Sequence, residues 1–414
     1  MTTGPRKYRL AFVDLMFSWP PHGGADVDLY ETLAGLARLG HEVRLFYPGY
    51  EASYERGCAD PAGLPFSAEP IPFTWRTFTP RTTAPRFREA IDAWRPDAVF
   101  LYHGYFLKPF IAEALRHYPT VGRYYAYELV CPRDALLFRD GAPCTNNYLK
   151  TPDACRRCAL PQFRERLIHW RMVAWTQEYV AGRAFLPSYH ARLLESVRHF
   201  SAVIVSNPLM ASHLEGITDA VHIFPGGVDL ARFAYAEPPA KPRAIILAAG
   251  RLEDPLKGLD VLRRAGAILA EGRHDFEIWA THGDYQLSND WFKTVGWRDP
   301  AGVVELIEQS DICVVPSIWE EPFGLAAVEA MAAGRPVCAS RVGGLQTIVR
   351  HGETGFLFER ENAEELARYL AELLDDSGRR RALGAAGRRI VETKYDWNRV
   401  IEGHWPPFLE RLLS

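Results

Sequence analysis

The sequence predicts an α/β protein made of two doubly wound halves, and three observations carry that prediction. Its 414 residues are too many for one ordinary domain and suit two of about 200 each. Apolar strands alternate with amphipathic helices from the N-terminus onward. A second series of the same kind begins at AIILAAG, after the linker-like EPPAKPRA. Hydrophobic content of 48% and charged content of 24% are those of a soluble globular chain.

Taken in order, YRLAFVD (8–14) is a buried first strand. In the following helix Leu29, Leu33, Leu36 and Leu39 share one face, and Gly40 ends it. Gly23 and Gly24 at its start admit a phosphate or sugar close to the backbone, or make a tight turn. Residues 51–95, rich in Pro and aromatics, read as loops and short helices. PDAVFLYHGYF is a strand with His103 at its carboxyl end, where ligands bind in such sheets; a structural histidine is the alternative. VGRYYAYELVCP is the next strand. PQFRERLIHWRMVAWTQEYVAGRAF reads as one long helix, with Leu167, Trp170, Val173, Ala174 and Trp175 interleaved with Arg164, Arg166 and Arg171. Trp and Arg on one helix suit an anionic membrane surface; a helix packed on its own domain with solvated arginines is the favoured alternative.

A net charge of −3 argues against a dedicated nucleic-acid binder. The first apolar run contains Asp14 and lacks a small-residue cleavage site, and no stretch of 18 residues is apolar throughout. The expectation is a cytoplasmic protein, with peripheral contact at the inner face of a membrane as the variant of it.

The chain is organised around PSIWEEPFGLAAVEAMAAGRPVCASRVGG, residues 316–344. A strand enters a polar turn, a helix of small apolar residues follows, and a second strand closes the unit. Glu329 is the lone carboxylate in that helix, and a carboxylate on a buried face costs roughly 2–7 kcal/mol unless it is hydrogen-bonded. Ligand hydroxyls would satisfy it. The helix opens at Gly324, where unpaired N–H groups and the dipole favour an anion. From there to Glu329 is about 7–8 Å at 1.5 Å per residue. That span suits a diphosphate between two hydroxylated rings. Glu329 would hold one ring, the amides of Phe323, Gly324 and Leu325 the phosphates, and Glu321 the other ring, as in a nucleotide-sugar. Arg251 and Lys257 lie in the first strand-to-helix loop of the second half, and a planar fork plus a point charge match a diphosphate.

EPFGLAAVE, inside its strand–EPFG–helix–GxPV–strand–GG frame, resembles the E-x7-E motif of glycosyltransferase family 4, retaining enzymes of the GT-B fold. The resemblance implies two facing Rossmann-like domains with an interdomain cleft. The expected limits are an N-terminal acceptor-side domain over 1–232, a nucleotide-sugar domain over 233–394, and a final helix from 395 to 414 crossing back to the first domain. It implies transfer of a hexosyl unit from a UDP- or GDP-sugar to a glycan, lipid-linked or small-molecule acceptor, without a catalytic metal. GRL…KG is similar to the family's Arg/Lys pair, so Gly250, Arg251 and Lys257 take the donor phosphates. Glu321 positions the hexosyl unit and Glu329 the ribose. Tyr125 and Ala126 stand where the family usually has His-Asp, so no general base is assigned. The rivals are a GT-B nucleotide-sugar epimerase and a non-catalytic nucleotide-sugar-binding protein.

Four of the seven cysteines, Cys131, Cys144, Cys155 and Cys158, fall within an insert at 131–158 that has little to build a core from. Cys155 and Cys158 form a C-x2-C knuckle, a spacing that suits one tetrahedral zinc. A structural zinc on the four is expected; two disulfides or four free thiols are the alternatives. Cys313 and Cys338 read as core residues.

Overall fold

A computed structural model describes residues 6–50, 56–133, 138–139, 142–169 and 173–414. The chain divides into two compact units, Met1–Phe224 with Ile401–Ser414, and Pro225–Val400.

The first unit contains β1 (Arg9–Val13), β2 (Glu42–Tyr50), β3 (Ser67–Phe73), β4 (Ala98–Leu101), β5 (Thr120–Arg123), β6 (Phe138–Arg139), β7 (Ala142–Pro143), β8 (Ala202–Val205) and β9 (Val221–Ile223). Among the described residues, seven of these form one sheet in the order β3-β2-β1-β4-β5-β8-β9, and β6 and β7 form a separate small ribbon. Every pairing in the large sheet is parallel. The central strands β1, β4, β5 and β8 are almost wholly buried, as strands covered by helices on both faces must be. The C-terminal helix Trp397–Leu412 supplies part of this packing: Trp405 meets Phe100 at 5.3 Å, and Ile401 fills the space above Gly35.

The second unit contains β10 (Ala244–Ala248), β11 (Phe276–Ala280), β12 (Phe292–Thr294), β13 (Ile312–Val315), β14 (Val337–Ser340) and β15 (Gly355–Phe358). Their order is β12-β11-β10-β13-β14-β15, again parallel throughout. Successive residues of β10 feed opposite cores: Ile246 joins Leu262, Ile278 and Leu370, whereas Leu247 joins Cys313, Val328 and Met331. Cys313 and Cys338 are buried core residues.

Two parts of the sequence fold differently from the expectation. Within 51–95, residues 51–55 lie outside the described residues. The remainder contains β3 and a 15-residue helix, Pro80–Trp94, that buries Phe87, Ile91 and Trp94. Its four prolines and threonines at the start hid the pattern, although Pro80 stands at the helix's first position, where it costs nothing. The expected single helix over 161–185 is two helices, Pro152–Ile168 and Ala174–Ala181. The first therefore begins inside the cysteine insert and includes Cys155 and Cys158. Trp170 and Arg171 lie outside the described residues. Trp175 is only 2% exposed, stacked on Tyr179 at 4.7 Å with Arg166 over its face, so it is a core residue.

Candidate active site

The second unit gathers most of the expected site on the carboxyl edge of its sheet. Arg251 follows β10, and Glu321 and Gly324 follow β13, the strand beside it. The two loops are fastened together. Ile318 N–H donates to the Leu256 carbonyl at 2.9 Å, and Gly258, at φ +77°, lies so close to Pro316 that a Cβ would sit 1.9 Å from its carbonyl oxygen. No side chain is possible there.

This junction sets Lys257 Nζ 2.7 Å from Glu321 Oε1 and 4.7 Å from the centre of the Trp319 ring. Ser317 Oγ donates to the same carboxylate oxygen at 2.7 Å. Both donors use Oε1, so Oε2 is the oxygen of Glu321 that has no partner among the described residues. Arg251 is exposed, and among the described residues its guanidinium has neither a hydrogen bond nor an ion pair. Gly250 is held by Thr281, whose hydroxyl accepts from Gly250 N–H at 2.8 Å and donates back to its carbonyl at 2.6 Å.

The EEPFG turn is held from behind. Glu320 pairs with Arg360, which follows β15, and accepts the Gly343 N–H at 2.6 Å. Gly344 N–H donates to the Glu321 carbonyl at 2.6 Å. The amides of Gly343 and Gly344 are thereby committed to the turn. Gly324 then enters the helix Leu325–Ala332 at φ +111°, with Leu345 filling the space of a side chain, so the position requires glycine.

Glu329 sits one turn into that helix and is half-buried, with no hydrogen-bond partner among the described residues. Burial pushes its carboxyl up to about 7, and Arg232 nearby moderates the shift. A half-buried carboxylate without a protein partner is a poor structural element and a good acceptor for ligand hydroxyls.

Gly23, Gly24 and His103 belong to the first unit. Gly23 precedes the helix Gly24–Arg38, and the carboxylate of Asp26 accepts N–H groups from Ser18, His22 and Gly23. That helix start is thus capped by its own acidic residue, while the space beside Gly23 is open for a distance of 4 Å. His103, after β4, is pushed down to about 4 by burial, Lys108 and Arg56, and is a neutral imidazole near neutral pH. Its backbone N–H donates at 3.1 Å to Asp14, a carboxyl that burial raises to about 7. Sequence reasoning passed over Asp14 as a site residue, although its place at the end of β1 was the signal. It also missed Ser317 and Glu320, both inside the quoted motif.

Cys155 is buried and its thiol is raised to about 11, first by burial and also by Cys131, Cys144 and Cys158, so the four cysteines are electrostatic neighbours. Arg133 donates to Cys158 Sγ at 3.9 Å, which joins the start of the insert to its end. All are free thiols, and among the described residues no three Cys, His, Asp or Glu side chains are grouped so as to hold a metal ion.

Two parallel Rossmann-like sheets in succession, the second with a cation-bearing loop and a buried turn–helix carboxylate set, define a two-domain GT-B protein. Comparison with known proteins gives the family. Residues 22–143 match the model described as Glycosyltransferase Family 4, and residues 284–390 the model described as Glycosyl transferases group 1. The chain belongs to the GT-B glycosyltransferases of family 4. It is 33% identical over 218 residues to the D-inositol 3-phosphate glycosyltransferase of Streptomyces scabiei, covering 46% of this chain and 48% of that one. It is 34% identical over 196 residues to the phosphatidyl-myo-inositol mannosyltransferase of Mycobacterium leprae, covering 44% and 51%. The chain thus spans about half the length of the curated relatives it matches. Anabaena HepE, solved in complex with UDP and glucose, superposes with a TM-score of 0.65 at 17% identity, over 99% of this chain and 100% of that one.

Proposed function

We propose that the protein is a retaining glycosyltransferase that moves a hexosyl unit from a UDP- or GDP-sugar to a hydroxyl of a glycan, lipid-linked or small polyol acceptor. The observation that carries this reading is the arrangement after β10 and β13. An unpartnered Arg251 shares the loop after β10 with Lys257, which pairs with Glu321, and a helix N-terminus and the unpartnered Glu329 follow β13. This is a cationic seat between two hydroxyl acceptors, the chemistry of a diphosphate with a ring at each end.

In the reaction the bond from the sugar's anomeric carbon to the diphosphate oxygen breaks, and that oxygen leaves with the electron pair. The acceptor oxygen bonds to the anomeric carbon and its proton passes to the departing phosphate. Arg251, Lys257 and the first-turn N–H groups meet charge that grows as the bond breaks, which lowers the barrier rather than the ground state. Glu321 already shares Lys257, so arrival of the phosphates draws the ammonium toward them while Oε2 accepts a hexosyl hydroxyl. These cations supply the charge that a catalytic metal would otherwise bring. The names of the two relatives favour a phosphorylated cyclitol or a lipid bearing one as acceptor.

A thermal-shift panel of UDP- and GDP-sugars, followed by NMR of the product anomer, tests the reading. One nucleotide-sugar should stabilise the fold and its anomeric configuration should persist in the product. Turnover of a donor without an acceptor, giving an epimer, would replace it with the epimerase reading. We also propose the structural zinc on Cys131, Cys144, Cys155 and Cys158, supported by the electrostatic influence of the other three on Cys155; binding would have to draw the sulfurs closer than they stand.

A further inference from the structure

We propose that a cavity at the amino edge of the second unit's sheet is a binding site for a phosphorylated sugar or polyol, separate from the donor seat. Its volume is about 580 Å³, within the range of small-molecule sites. The lining comes from the segment Tyr235–Lys241, from Ala244, Asp311 and Pro336, where β10, β13 and β14 begin, and from the start of the helix Ser377–Ile390. The donor seat lies at the opposite ends of the same strands. Strands of four to five residues, at about 3.3 Å each, set the two edges roughly 13–17 Å apart. The proposal goes beyond the transferase reading and does not depend on it.

Charge decides one end of the ligand. Lys241, Arg335, Arg380 and Arg381 line the cavity against two carboxylates, Glu237 and Asp311, in a chain whose net charge is −3. Arg335 is buried and gives its nitrogens to the carbonyls of Ala236, Ile307 and Glu308, neutral partners that leave its charge in place. Arg380 bonds the carbonyls of Leu373 and Leu374 through Nη1, and its Nε and Nη2 have no partner among the described residues. Arg381 is exposed and reaches Glu237 only at 3.6 Å and the Ser377 hydroxyl at 3.5 Å. Of the four, Lys241 is the one held in a close ion pair, with Asp311 at 2.9 Å. Two guanidinium forks with donors to spare suit a phosphate.

The rest of the wall defines the other end. Asp311 uses one oxygen, Oδ2, for Lys241 and for the Ile245 N–H, and its Oδ1 has no partner among the described residues. That oxygen is an acceptor for a ligand hydroxyl. Tyr235 lies on Gly334, where a Cβ would stand 2.5 Å from the ring, yet the residue is 57% exposed. Its ring is thus seated on the protein while most of it stays accessible. A hydroxyl acceptor, an aromatic platform and two arginine forks around one cavity match a hydroxylated ring that carries a phosphate.

Calorimetry on the full chain without donor or acceptor, with glucose 6-phosphate, inorganic phosphate and glucose as probes, tests the site, so its failure would leave the transferase reading standing. The ester should bind more tightly than inorganic phosphate, and glucose should not bind. Arg381→Glu should weaken the ester at least about tenfold, with an unchanged melting temperature, because the side chain is exposed and its bonds are long. Tyr235→Ala should weaken the ester and leave inorganic phosphate as in the parent. Arg251→Ala, in the donor seat, should bind the ester as the parent does. Absence of ester binding overturns the proposal, as does parent-like binding by Arg381→Glu. Loss of binding in Arg251→Ala would assign the ester to the donor seat instead, and inorganic phosphate binding as tightly as the ester would overturn the assignment of a ring to the wall.

Discussion

Glu329 offers the sharpest test of the site, because its proton and the ligand compete. Its carboxyl ionises near 7 in the folded protein against an ordinary value of 4.5. The folded state therefore holds a proton that the unfolded chain has lost. Stability from this group is full below about pH 4.5 and is lost as pH rises through 7, about 3 kcal/mol in all at about 1.4 kcal/mol per unit. Glu329→Gln removes that loss, so it should be more stable than the parent near pH 8, by up to about 3 kcal/mol, and equal to it below about pH 4.5. Ligand hydroxyls prefer the charged carboxylate as acceptor, so a bound nucleotide-sugar should drive the proton off. Affinity should then rise roughly tenfold from pH 6 to pH 8, with about half a proton released per complex at pH 7. Calorimetry in two buffers of different ionisation enthalpy reads both quantities, using a nucleotide-sugar whose phosphodiesters do not titrate in this range. In Glu329→Gln the pH dependence should vanish and binding near pH 8 should weaken. Binding by the parent that is flat with pH and releases no proton would refute the assignment of Glu329 to a ligand ring.

Arg251→Ala should lower turnover by roughly 2.7–4 kcal/mol with an unchanged melting temperature, since the side chain is exposed and makes no bond to lose; normal turnover would remove it from the phosphate seat. Lys257→Ala should lower turnover similarly and also destabilise the fold, because it strands the Glu321 carboxylate, which is only 7% exposed; a thermal melt equal to that of Arg251→Ala would argue against the ion pair. Glu178→Gln should cost roughly 3–5 kcal/mol, because its carboxylate joins Arg56 to the N–H groups of Tyr105, Phe106 and Leu107 with no solvent exposure; a denaturant midpoint like the parent's would contradict that burial. Metal analysis of protein purified without chelator should find about one zinc per chain, and four freely titrating thiols in metal-free native protein would rule the zinc out.

The strands and the PSIWEEPFGLAAVE unit were legible because their signals are local: continuous apolar runs, glycine at turns, and one carboxylate among alanines. Gly324 could be placed from sequence, and its left-handed backbone explains why the motif reads FGL. The Lys257–Glu321 pair could not be read as a pair, because 64 residues separate its partners and only the sheet order brings β10 beside β13. Treating the two as servants of different ends of the donor missed that each neutralises the other. Glu178 gave no signal at all, since a glutamate in WTQEYVAG looks like a solvated helix position. The helix break after Ile168 was hidden by an apolar-and-arginine pattern that continues across it.

The contact of Gly258 with Pro316 has a mechanical consequence. With no side chain to act as a spacer and the Ile318–Leu256 hydrogen bond alongside, the two loops are packed backbone to backbone. Lys257 is bonded to the Glu321 turn, and the Gly343 and Gly344 amides tie that turn to the segment after β14. On the proposed reading, a donor phosphate drawn to Lys257 would load a chain of contacts that reaches Arg360 through its ion pair with Glu320.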